Sequence, residues 1–226
     1  MQGLGLTNNQ NIKYKLLRSE RKTLSLQINN KAQLIVRSPH RLSNKEIEKF
    51  ICEKSEWINN KIALSQSSIV SKHRYIENED FLYLGNLYPL ILSKQIKALL
   101  FDGKSFISSI GDKEDFLKWY KSAFTKIAIP RLNYYADTFQ LKYNKVRIKA
   151  QKTLWGSCSK ENNINLNYLL IMAPVAVIDY VIVHELAHTI YKNHSKMFWA
   201  LVASILPEYK NSIKWLKENG YKLHSL

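Results

Sequence analysis

Long apolar runs are missing from this sequence. None of its 226 residues sits in a stretch approaching the roughly 18 consecutive apolar residues that a membrane-spanning helix needs, because His184, Glu185 and His188 interrupt the best candidate. The opening stretch, Met1 to Gln10, is polar and glycine-rich and lacks the apolar middle of a secretory signal. A cytoplasmic protein that makes no membrane contact is therefore expected. Cysteine is scarce too: Cys52 and Cys158 are far apart and form no C-x-x-C pair. That excludes a disulfide scaffold and a paired-cysteine zinc site, and it fits a reducing compartment. Acidic residues are in the minority, 18 against 34 Lys and Arg. The excess is uneven, with 14 basic and 5 acidic residues before position 76 and 8 and 5 after position 150. Such a field favours acidic partners, nucleic acid among them, and a lysine-rich solvated surface is the plainer reading.

What is present is β-rich first and helical later. Thr23 to Ile28 and Ala32 to Val36 alternate as strands about a turn at Asn29-Asn30, so that residues 13–36 suggest a small meander. Ser43 and Glu46 form a capping box that opens a helix spanning 43–65. Gly85-Asn86 and Asp102-Gly103 each mark a hairpin. A helix then starts near Asp112, with a break or kink expected at Pro130 and Leu132 to Phe139 expected to continue it. Val146 to Lys149 and Ile164 to Tyr168 alternate as strands, with a loop at Trp155 to Ser159 between them. The expected class is α+β: a β-rich N-terminal region, 1–110, with one helix, followed by a compact helical and short-sheet domain, 111–226.

The chemistry concentrates in Val181 to His188, followed by His194. On a helix His184 and His188 lie about 40° apart around the axis and about one turn apart along it, so both imidazoles face one point. Glu185 sits to the side, placed to touch a water rather than to be a third ligand. The helix is expected to run from Val175 to Ile190, apolar on nearly every face, and ionisable groups buried there need a partner. A divalent cation is such a partner. His194 reaches the same point only if the helix ends first, because a straight helix would carry it roughly 15 Å along and about 80° away. Asn193 suits the turn and Ser195 can cap a following helix, Lys196 to Leu206. Two helical histidines and a third from the next turn, with one position left open, is the layout of a catalytic zinc site, with Glu185 as general base. Glu208 also meets a third-ligand distance, Cys158 is conceivable as a fourth ligand in a closed site, and Tyr191 as an oxyanion donor.

The metzincin pattern fails, since residue 191 is tyrosine where that family has glycine, and no Met-turn is visible. Instead the sequence resembles the YgjP-like metal-dependent hydrolases, a zincin-like metallopeptidase family distantly similar to the SprT-like and WLM zinc peptidase domains. The likeness is carried by Trp155-Gly156-Ser157-Cys158-Ser159, Ile164-Asn165-Leu166-Asn167, His184-Glu185-Leu186-Ala187-His188, Asn193-His194-Ser195 and Phe198-Trp199. It extends weakly to Arg21 to Leu26 and Val36 to Pro39. The resemblance implies a zincin-like fold, zinc held by His184, His188 and His194, Glu185 as base, and a protein or peptide substrate. It also implies an edge strand that pairs with substrate, for which Ile164 to Tyr168 is the candidate. The SprT-like and WLM domains act on DNA-associated proteins, which by analogy gives the basic N-terminal half an interest. Two further readings stay open: a basic nucleic-acid-associated protein with a structural metal, and a metal hydrolase of a non-peptide substrate. His40, His73 and His224 are expected at the surface or in turns.

Overall fold

A computed structural model describes residues 2–6, 12–29, 32–67, 73–151 and 153–224. The class is α+β: three small mixed sheets and six α-helices among the described residues, with strands first and helices later. The chain divides into two compact units, Met1–Ser71 and Lys72–Leu226. No helix among the described residues is long and apolar enough to cross a membrane.

In the first unit β1 (Gln2–Leu6), β2 (Lys13–Ser19), β3 (Ser25–Ile28) and β4 (Leu34–Pro39) lie in the order β1-β2-β4-β3. This corrects the expected meander: β2 runs parallel to β4, and β3 pairs antiparallel with the far edge of β4. The β3–β4 turn is closed by Asn29, whose backbone N–H donates to the Gln33 carbonyl and whose side-chain oxygen accepts from the Gln33 N–H; Asn30 lies outside the described residues. Burial explains the order, because β4 carries Leu34 and Val36 at zero exposure and so takes the centre. The expected helix 43–65 is two helices, α1 (Asn44–Glu53) and α2 (Ser55–Ser67), broken at Lys54, whose N–H is shared between Phe50 and Ile51 carbonyls. The Ser43–Glu46 capping box is formed in both directions. Ile47, Ile51 and Ile58 bury one stripe of the helices against Tyr14, Leu34 and Val36.

The second unit begins with β5 (Asp80–Tyr83), β6 (Asn86–Leu92), β7 (Leu100–Phe101) and β8 (Phe106–Ser108), ordered β5-β6-β8-β7. The first hairpin turns on Leu84 and Gly85, both at positive φ as its tight turn requires, so Asn86 already belongs to β6. The backbone N–H groups of Leu84 and Gly85 donate to the Ile171 and Met172 carbonyls, and a Cβ on Gly85 would sit 2.8 Å from Pro174. The second hairpin is held by Asp102, whose carboxylate accepts from the Lys104 and Ser105 N–H groups. The helix α3 (Lys113–Thr138) runs through Pro130 without ending. Pro130 is exposed, so the hydrogen bond it removes lies on the wet side, while Phe124, Ala128 and Leu132 keep the buried face continuous. The domain boundary expected at 110 falls inside this unit, because Phe81, Phe106 and Phe116 pack as one cluster, with the Phe81 and Phe116 rings stacked at 4.0 Å.

Next come β9 (Lys145–Lys149), β10 (Gly156–Cys158) and β11 (Asn163–Asn167) in the order β10-β11-β9. Residues 156–158, expected as loop, are thus an edge strand antiparallel to β11. Buried Asn167 ends β11: its amide donates to the Gln151 and Leu154 carbonyls and its oxygen caps the Leu169 N–H. A 3-10 turn, Tyr168–Met172, leads to α4 (Val175–Ala187), then α5 (Lys196–Ile205) and α6 (Tyr209–Asn219).

Candidate metal centre

The site is built where α4 stops. The helix ends at Ala187 rather than Ile190, with His188 as its still-helical C-cap at φ −68°, ψ −13°. The Thr189 N–H then turns back to the Leu186 carbonyl and the Tyr191 N–H to that of Ala187. That early turn swings residues 189–194 back toward the helix. Ser195 starts the next helix as expected, its hydroxyl accepting from the Phe198 N–H at 3.3 Å.

The turn brings His184, His188 and His194 together, with one ring nitrogen from each lying within 4.8 Å of the others. The Nε2 atoms of His184 and His194 are 3.1 Å apart. Tautomers follow from the other ring nitrogens. His188 Nδ1 is 2.9 Å from the Tyr191 carbonyl, which can only accept, so Nδ1 carries the proton and Nε2 keeps its lone pair. His184 Nδ1 faces the Tyr180 hydroxyl at 3.3 Å, one turn earlier on the same helix. Burial, with the fields of His188 and His194 added, pushes His184 down to about 3, and burial also lowers His188. His184 and His188 are therefore held neutral, the form that ligates metal. With His194 they bring three imidazole nitrogens to one point, and such a donor set fits a divalent ion of the zinc type.

Aromatic rings wall this cluster. Phe198 lies 4.5 Å from His188, 4.8 Å from His194 and 5.0 Å from His184, centroid to centroid. Trp199 stacks on His194 at 5.7 Å and on Tyr209 at 5.5 Å, and Tyr209 stacks in turn on Tyr180 at 6.4 Å. The Phe198-Trp199 pair thus supports the ligands by packing.

Glu185 points from the same helix toward β10. It is only 5% exposed, its Oε2 is buried without a hydrogen-bond partner among the described residues, and burial pushes its carboxyl up to about 8. Gly156 explains how it fits: a Cβ there would lie 2.6 Å from both Glu185 Oε1 and Cγ, so only glycine lets the strand pass. An unpartnered buried carboxylate oxygen beside three ligand-type nitrogens is poised for a water or a reacting group.

The other expected residues lie elsewhere. Glu208 caps the start of α6 and accepts from the Asn211 amide at 2.7 Å, and it is not in the histidine group. Cys158 is outside the group as well, its thiol directed to the Ser159 carbonyl at 3.5 Å. Tyr191 contributes its carbonyl to His188. Trp155 packs, stacking on His224 at 4.9 Å and covering Gly220. His224 is exposed, as expected, with its ring laid against that indole. His40 is exposed, and His73 pairs with Glu79 at 2.9 Å. The substrate strand also needs correcting: β11 is paired on both sides, and the edges of this sheet are β10 and β9, of which β10 lies beside Glu185. Tyr180 was missed, although its i−4 spacing from His184 was there to be found. Two other contacts left no sequence signal. Lys192 ties the ligand turn to the β10–β11 hairpin through the Ser159 carbonyl and Asn162. Arg131 on α3 pairs with Asp179 on α4 at 2.8 Å.

No curated protein sequence matches this chain. The crystal structure of the metallopeptidase zymogen of Pyrococcus abyssi abylysin aligns over 40% of this chain and 93% of its own, at 24% identity and a TM-score of 0.37. A family model described as YgjP-like, metallopeptidase domain, matches residues 22–219. That match takes in both units and every residue of the histidine cluster, and the chain belongs to the YgjP-like metallopeptidase domain family.

Proposed function

We propose that this chain is a zinc-dependent metallopeptidase in which His184, His188 and His194 hold the ion and Glu185 is the general base. The observation that carries the proposal is the convergence of three imidazoles beside a buried carboxyl group, Glu185, that has an oxygen without a partner among the described residues. When bound, zinc supplies Lewis acidity, which acidifies water and polarises a carbonyl. The chain's own groups do the rest. The Tyr191 carbonyl and the Tyr180 hydroxyl fix the ring orientations of His188 and His184. Glu185 takes a proton from the attacking water and hands it to the leaving amine nitrogen as the C–N bond breaks. The free edge of β10 offers unpaired backbone groups to an extended peptide, and its closeness to Glu185 supports that edge as the substrate strand. A cytoplasmic setting suits the free thiols Cys52 and Cys158.

Metal analysis of the purified protein and of Glu185→Gln tests the reading. About one zinc per chain is expected in both, with cleavage of a quenched fluorescent peptide falling on the order of 10²-fold or more in the variant. Protein without stoichiometric zinc, or a variant that cleaves at the unaltered rate, would overturn it.

A further inference from the structure

The positive charge of the first unit is segregated by secondary structure. Residues 1–43 carry eight basic side chains and one acidic one, Glu20, whereas the helical stretch 44–67 carries four of each and is neutral. The unit's excess charge therefore lies wholly in its strands and their turns.

The sheet sorts it further. Tyr14, Leu34 and Val36 point into the core with α1 and α2, and so the pleat turns Lys13, Lys15, Arg37 and Gln27 outward, where all four are exposed. The register sets Lys15 beside Ile35, and Arg37 between Leu17 and Ser25. Lys13, Lys15 and Arg37 have no ion-pair or hydrogen-bond partner among the described residues, and no acidic residue occupies the outward positions of β2, β3 or β4. Arg18 belongs to the other side. Its guanidinium donates to the Pro39, His40 and Leu42 carbonyls and to the Asn44 side chain, so it is committed to the β4–α1 junction.

We propose that this outward sheet face, centred on Lys13, Lys15 and Arg37, binds the phosphate backbone of double-helical nucleic acid. Three features select that occupant. Three unpaired cations on one face, with the exposed Gln27 amide and the partly exposed Ser25 hydroxyl among the Leu17 and Ile35 side chains between them, supply the donors that backbone phosphates require. The outward positions of β2, β3 and β4 carry no aromatic side chain, so the stacking platform used for single strands is missing. They also lack the exposed aromatic anchors that form the centre of protein–protein interfaces. Binding through such a face is independent of base sequence.

The test is fluorescence anisotropy of the full chain with a labelled duplex DNA of about 20 base pairs, across a salt series. The triple variant Lys13→Gln/Lys15→Gln/Arg37→Gln is compared with a helix-side control of equal charge, Lys45→Gln/Lys49→Gln/Lys54→Gln, with both folds checked by circular dichroism. Three lost phosphate contacts lower the log–log salt slope by about 2.7, which corresponds to roughly several hundred-fold weaker binding at about 0.1 M salt, and the control stays close to the parent. Absent or salt-insensitive duplex binding, equal losses in the two triple variants, or tighter binding to a single strand or to phosphatidylserine vesicles would each overturn the proposal. None of these residues belongs to the histidine cluster, so either result leaves the peptidase proposal to its own test.

Discussion

Gly156→Ala isolates the placement of Glu185 from the binding of metal. The added methyl would lie 2.6 Å from Glu185 Cγ and Oε1 and 2.8 Å from Cδ. Comfortable carbon contacts are about 3.5–4.0 Å, so something must move by about 1 Å. The strand is poorly placed to yield, since Gly156 pairs with Leu166, and the Trp155 carbonyl accepts from the Asn167 N–H at 2.9 Å. The carboxylate side chain gives way instead, within a pocket where it is 5% exposed. Overpacking of this kind costs about 1–3 kcal/mol of stability, and a misplacement of about 1 Å at a reacting group costs about 10²-fold in rate. The histidines are untouched. The expected outcome is a kcat for peptide cleavage lowered about 10²-fold at full zinc occupancy, with a modest fall in Tm. An unchanged kcat would refute the claim that this glycine positions the base, and a zinc loss proportional to the activity loss would refute the separation of base from metal.

Two further outcomes follow from other contacts. Tyr180→Phe removes the hydroxyl 3.3 Å from His184 Nδ1, and zinc affinity measured by competition with a chromogenic chelator is expected to fall about 10- to 100-fold, while activity at saturating zinc is largely kept. Glu79→Gln addresses stability. Burial opposes ionisation of Glu79, but hydrogen bonds from the Arg74 and Ile76 N–H groups and from His73 outweigh it and hold the carboxyl below its ordinary 4.5. The folded state therefore ionises first, so this contribution is complete above pH 4.5 and is lost as pH falls through the lowered value. The Tm difference between parent and variant should be widest near neutrality and should narrow in acid; a constant gap across the pH series would contradict it.

Local signals carried much of the architecture. The Ser43–Glu46 box, the two hairpin turns and the Ser195 cap each depend on groups a few residues apart, so they are visible without the fold. The histidine triplet was legible for the same reason. Helical periodicity aligns His184 with His188, and the impossibility of a straight helix demands a bend before His194. At Pro130 the sequence left break and kink open, and α3 continues through it as the Leu132 to Phe139 pattern implied, because the cost of a missing hydrogen bond depends on which side of the helix faces water.

The sequence by itself thus determined the class and the grouping of the three histidines, because spacing along a helix and turn chemistry are properties of neighbouring residues. Only the tertiary structure decided that β4 sits between β2 and β3, that β11 is central with β10 at the edge beside Glu185, and that Tyr180 and the Tyr191 carbonyl orient the imidazoles. It alone showed why residue 156 is glycine. Strand order and close approach are settled by burial between segments distant along the chain, and no local pattern records which segments will meet.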